Sequence, residues 1–134
     1  ERIAYYEKQG IACWSGNDDE CHDGIHKFGS HGVISVTSNL VPELMRQLMD
    51  KEDQSLNQKL QPLMAWLFSE PNPIPLNTAL MMTNAIQPVF RLPYKAMTAT
   101  QREQGIKLLE EIGIENIVGS QLTPIDDDSI IYSA

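Results

Sequence analysis

The sequence predicts an α/β fold built on two parallel strands and a connecting helix, and three observations carry that expectation. Residues 11–14 and 32–36 are short, almost wholly apolar runs rich in strand-forming side chains, the pattern of strands buried on both faces. Residues 18–28 lie between them and are long enough for one crossover helix, a connection that is right-handed almost without exception. Each run ends in a polar turn, Ser15-Gly16-Asn17-Asp18-Asp19 after the first and Thr37-Ser38-Asn39 after the second. Open sheets and closed barrels alike gather their chemistry beyond the carboxyl ends of such strands.

Taken in order, residues 1–9 read as the end of an amphipathic helix, with Ile3 and Tyr6 on one side and Gly10 as the stop. Asn17 or Asp18 is expected to cap the crossover helix, and Asp18, Asp19 and Glu20 suit its positive N-terminus. Gly29 closes that helix. From Leu40 onward the pattern is helical. Residues 40–49 carry Leu40, Leu44, Leu48, Met45 and Met49 at helical spacing, with Pro42 tolerable in the first turn. A charged linker over 50–55 precedes a second such helix over 56–68. Residues 70–75 hold three alternating prolines and are read as non-helical. Helix resumes over 76–85, and 91–94 is read as a loop. Thr98 or Thr100 caps a last helix ending at Ile112, closed by Gly113. The tail, 114–134, contains Asp126-Asp127-Asp128 and the short apolar run Ile130-Ile131-Tyr132. The expected organisation is therefore 1–50 as two β/α units, 51–113 as a helical region and 114–134 as an acidic tail.

A chain of 134 residues that is 42% apolar suits one globular domain. Ten basic against 18 acidic side chains leave a formal charge of −8, which disfavours nucleic acid or an anionic membrane as partner. No apolar run approaches the ~20 residues of a membrane span. Cys13 and Cys21 are too few for a disulfide scaffold, and no bridge between them is expected. The chain opens inside a helical pattern, and two parallel strands alone would leave two unpaired edges. It is therefore expected to be the C-terminal piece of something longer.

Few residues suggest chemistry directly. Gly16 would let the backbone approach a ligand closely, while Asp18 and Asp19 are explained as readily by capping. Cys21, His22, Asp23 and His26 invite a metal reading, since His22 and His26 are one helical turn apart. The pattern is not His-Glu-x-x-His and no distant third ligand is evident, so an exposed polar helix face is the expected reading and no metal or cofactor is assigned. Asp126-Asp127-Asp128 lacks the alternating ligands, glycine and final Glu of a calcium loop. The methionines are core filling first, although Met81 and Met82 could instead face a partner. Lys8, Lys27, Lys51, Lys59, Lys95 and Lys107 all fall on polar helix faces or in loops. None lies in an apolar strand, where desolvation would lower its pKa and make it a nucleophile.

Four motifs then carry a resemblance. They are residues 14–19 (Trp14 to Asp19), residues 32–42 (Gly32 to Pro42), residues 67–74 (Leu67 to Ile74, around Glu70-Pro71-Asn72-Pro73) and residues 90–94 (Phe90 to Tyr94). In register over nearly the whole chain, they resemble the dihydrodipicolinate synthase family, especially its plant and green-algal members. The resemblance implies a (β/α)8 TIM barrel with added C-terminal helices, of which this chain would hold the last two parallel strands. It implies a Schiff-base lyase that condenses pyruvate with aspartate semialdehyde in lysine biosynthesis by the diaminopimelate route, in the plastid stroma, without a cofactor. Gly16 would present backbone beside bound pyruvate and Ile34 would pack against it. Asn17 and Asp18 would line the rim, and residues 70–73 would help shape the barrel mouth. The family's Schiff-base lysine would lie upstream of Glu1, so no catalytic residue is assigned here and the chain alone is expected to be inactive. Two associations are expected as alternatives: copies of the chain with each other, or docking of a non-catalytic paralogue on a full-length synthase.

Overall fold

The computed structural model describes residues 2–133; Glu1 and Ala134, assigned above to the first helix and the tail, lie outside the described residues. Helix α1 (Arg2–Glu7) ends in a turn at Gly10, whose φ of 74° is accessible to glycine at little cost. Helix α2 (Cys21–Phe28) is the crossover helix and is closed by Gly29 in the left-handed region. It starts later than expected. Glu20 occupies its N-cap and no side chain makes a cap hydrogen bond, so neither Asn17 nor Asp18 is the cap.

The two apolar runs do lie side by side and parallel, but they do not form strands. They share one isolated parallel bridge, Ser15 with Val33. Three backbone bonds hold them: His31 N to Cys13 O at 2.8 Å, Ser15 N to Gly32 O at 2.9 Å and Ile34 N to Ser15 O at 2.9 Å. The buried Ser30 hydroxyl adds support, with its Oγ 2.9 Å from Gly32 O and 3.2 Å from Cys13 O. Burial on both faces is also corrected, because Ile11, Trp14 and Ile34 are exposed, Trp14 at 55% and Ile34 at 74%. Two extended segments with no further strand paired to them among the described residues have too few ladder bonds and too little cover to be a sheet.

The helical region follows the sequence closely. Helix α3 (Pro42–Asp50) places its proline in the first turn, where the missing N–H has no intrahelical partner to lose. Helix α4 (Gln54–Leu67) starts inside the expected linker because Asp53 caps it, accepting from Leu56 N at 2.9 Å. Helix α5 (Ile74–Met82) begins within the proline-rich stretch read as non-helical, since Pro75 falls in the first turn. Strand β1 (Val89–Arg91) overlaps the expected loop and pairs in parallel with β2 (Ile131–Ser133), Phe90 opposite Tyr132. Helix α6 (Ala99–Ile112) has the Thr98–Gln101 capping box.

Leu40, Leu44 and Leu48 pack with Leu60, Leu63, Leu67, Met82 and Leu109 into one core. Met81 and Met82 are both buried, so they do not face a partner. The tail is stitched on by Val118 N to Leu40 O, Ser120 N to Thr83 O and Thr123 N to Met82 O at 2.8, 3.0 and 2.9 Å. Buried Arg102 also pairs with exposed Asp127. No described helix is long and apolar enough to cross a membrane.

Candidate functional site

The bridge between Ser15 and Val33 sets the local geometry. One residue beyond it on each run stand Gly16 and Ile34, both exposed at the carboxyl end of the pair. Asn17, also exposed, follows in a tight turn in which Ser15 Oγ lies 2.8 Å from Asn17 O and accepts from Asn17 N at 3.2 Å. A groove of about 910 Å³ opens beside this turn, lined in part by Tyr6, Trp14, Gly16, Asn17 and Phe28. Gly16 and Asn17 thus reach an open concavity, while Ile34 presents its side chain on the neighbouring run.

Asp18 is elsewhere. It is 1% exposed, so it does not line a rim. Its Oδ2 accepts three hydrogen bonds from the far side of the second run: Val36 N at 3.0 Å, Thr37 N at 2.8 Å and Thr37 Oγ1 at 2.8 Å. No local pattern points to this, because the donors lie 18 and 19 residues away. The Thr37–Asn39 turn they belong to is completed locally by Ser38 N to Ser35 Oγ at 2.9 Å. Asp19 remains exposed, and its carbonyl accepts from Gln61 Nε2 of α4 at 3.0 Å. Gln61 was not singled out in the sequence; it ties the helical region to the polar turn.

The face of α2 read as exposed and polar is partly core. Cys21 and His22 are buried, His22 to 1% exposure. Desolvation by burial, reinforced by the negative charge of Asp18, pushes the Cys21 thiol from its ordinary 9.0 up to about 12. His26 Nε2 donates to Leu48 O at 3.0 Å, joining α2 to α3. The rings of His22 and His26 lie 4.9 Å apart in a tilted pair. Oδ1 of Asp18 and Nε2 of His22 are buried without a protein partner. Asp23, partly exposed, has its carboxyl held below the usual range by the hydrogen bond from Lys27. No group of three His, Cys, Asp or Glu side chains that could hold a metal occurs among the described residues. Cys13 and Cys21 are free thiols.

All six lysines are exposed, so none has the desolvated surroundings that make an amine nucleophilic near neutral pH. The residues 70–73 segment is anchored through Glu70, whose Oε1 accepts from Gln101 Nε2 at 2.9 Å.

Comparison with known proteins gives this geometry its context. The chain is 54% identical over 133 residues to the chloroplastic 4-hydroxy-tetrahydrodipicolinate synthase 2 of Triticum aestivum, covering 98% of this chain and 35% of that protein. It is 53% identical over 130 residues to the chloroplastic enzyme of Nicotiana tabacum, covering 96% of this chain and 36% of that protein. The chain therefore spans about a third of the length of these relatives. Among solved structures, it superposes with a TM-score of 0.72 and 32% identity on the chloride-inhibited dihydrodipicolinate synthase of Acinetobacter baumannii complexed with pyruvate, covering 80% of this chain and 39% of that one. The dihydrodipicolinate synthetase family model matches residues 1–112. The chain belongs to the dihydrodipicolinate synthetase family.

Proposed function

We propose that this chain is one wall of a pyruvate-binding pocket in a Schiff-base lyase that condenses pyruvate with aspartate semialdehyde. The two extended runs are then the last two staves of a (β/α)8 barrel, and residues 40–113 are the helix after the final stave with the added helical region. Gly16 offers backbone to pyruvate and Ile34 packs against it, with Asn17 at the rim. The observation that carries this reading is the parallel Ser15–Val33 bridge, which brings Gly16 and Ile34 out together at the carboxyl end. Carboxyl-terminal strand ends are where barrel enzymes hold their substrates. The amine comes from elsewhere, because all six lysines here are exposed. The chain alone is accordingly inactive, and the working protein belongs in the chloroplast stroma, the chloroplast being the compartment given for its plant relatives.

A second reading is favoured by the exposed Ile11, Trp14 and Ile34. That apolar edge needs cover, and a non-catalytic chain could obtain it by docking on a full-length synthase. The discriminating experiment replaces the matching third of the Triticum aestivum synthase with residues 1–134. A folded chimera that condenses pyruvate with aspartate semialdehyde is the expected result, with no product from the 134-residue chain alone. A folded but inactive chimera would contradict the pocket-wall reading, and co-purification of the 134-residue chain with the intact synthase would favour docking.

A further inference from the structure

We infer that Asp18 is a positioning residue for the pyruvate wall: by gathering the Val36–Thr37 backbone onto one carboxylate oxygen, it fixes Ile34 against Gly16. This rests on the pocket-wall reading above. Asp18 sits two residues beyond Gly16, and its three donors sit two and three residues beyond Ile34. The Ser15–Val33 bridge pins the two runs on the near side of Gly16 and Ile34, and Asp18 pins them on the far side. Between these two ties the backbone of both pocket positions has little freedom to slide. Three backbone or hydroxyl donors converging on one carboxylate oxygen tie both runs through a single side chain. Burial shields the set from competing water.

The other carboxylate oxygen, Oδ1, has no protein partner, so the two obvious variants behave differently. Asp18→Asn keeps an oxygen for the three donors and sets its amide where Oδ1 stood. Asp18→Ala removes the acceptor altogether. Thr37→Val deletes only the hydroxyl donor while preserving shape.

Two measurements test the inference. In the 134-residue chain, the Val36 and Thr37 amides are expected to exchange slowly with solvent deuterium. Asp18→Ala should accelerate both amides while leaving those of α4 unchanged; unaltered exchange at Val36 and Thr37 would overturn the clamp. In the chimera described above, rates are normalised to sites trapped by pyruvate and borohydride. Asp18→Ala should raise KM for pyruvate by roughly tenfold, since a misplaced binding group is costly. Asp18→Asn should recover most of that loss, and Thr37→Val should give a smaller increase in the same direction. A residue that merely stabilised the fold would reduce the number of trapped sites and leave KM unchanged, and that result would overturn the inference. If Asp18→Ala does not fold, Thr37→Val decides: an unchanged KM counts against positioning. A chimera inactive before any of these substitutions would refute the pocket-wall reading itself, while the exchange measurement would still judge the clamp.

Discussion

Cys21 is enclosed between the polar turn and the core, and with Asp18 nearby its thiolate is strongly disfavoured. Since the folded-state value of about 12 lies above the ordinary 9.0, the stability this thiol contributes is complete below pH 9 and is lost as pH rises toward 12. In that window the unfolded chain binds fewer protons than the native one, so the difference costs on the order of 1 kcal/mol per pH unit. Urea unfolding between pH 8 and 10.5 should therefore show a steeper alkaline decline for the parent than for Cys21→Ala; parallel declines would contradict the burial. A thiol reagent at pH 8 should meanwhile react at one site per native chain, the partly exposed Cys13. Asp18 shows why single residues were misread. Its type and its place before a helix suit a cap, but the donors that claim it come from a turn distant in sequence.

At the scale of elements, helix starts were legible where a local rule governs them. Thr98 with Gln101 three positions on is such a rule, and the capping box is present. Pro42 at the head of α3 is another. Strands were not legible, because pairing depends on neighbours rather than on the run itself. The apolar residues 11–14 and 32–36 share a single bridge, while Val89–Arg91 and Ile131–Ser133, over 40 residues apart, form the paired strands. The contact between α4 and α6 yields a test of packing. An ideal Cβ at Gly105 would stand 2.8 Å from Cε2 and 2.9 Å from Cη2 of Trp66, whose indole donates to Gln101 O at 2.9 Å. Replacing glycine by alanine inside a helix ordinarily stabilises by about 1 kcal/mol. Here Gly105→Ala should instead destabilise by about 1–3 kcal/mol through overpacking, read as a lower urea midpoint with an unchanged slope. A raised midpoint would show that the two helices are not in such close contact.

For the whole molecule, the family and the helical region could be read from sequence, because motif order and helical periodicity survive in a linear text. Gly16, Asn17 and Ile34 do come to one end of the paired runs. The inward turn of Asp18 and the role of Gln61 were not readable, since both depend on which segments meet in space. Exposed Ile11, Trp14 and Ile34 leave an apolar edge on a chain whose charge of −8 otherwise favours separation. Association of two or more copies is the expected outcome, and it should strengthen with salt as repulsion is screened. Size exclusion with light scattering at low and high ionic strength checks this, and a strict monomer in both would count against it.

The most direct measurement of all is where pyruvate becomes attached. In the chimera carrying residues 1–134, pyruvate and borohydride followed by peptide mapping should leave a reduced adduct on a lysine of the Triticum aestivum portion. Lys8, Lys27, Lys51, Lys59, Lys95 and Lys107 should all be unmodified. A pyruvyl adduct on any of those six, or a folded chimera that traps no pyruvate, would contradict a chain that supplies pocket wall without supplying the amine.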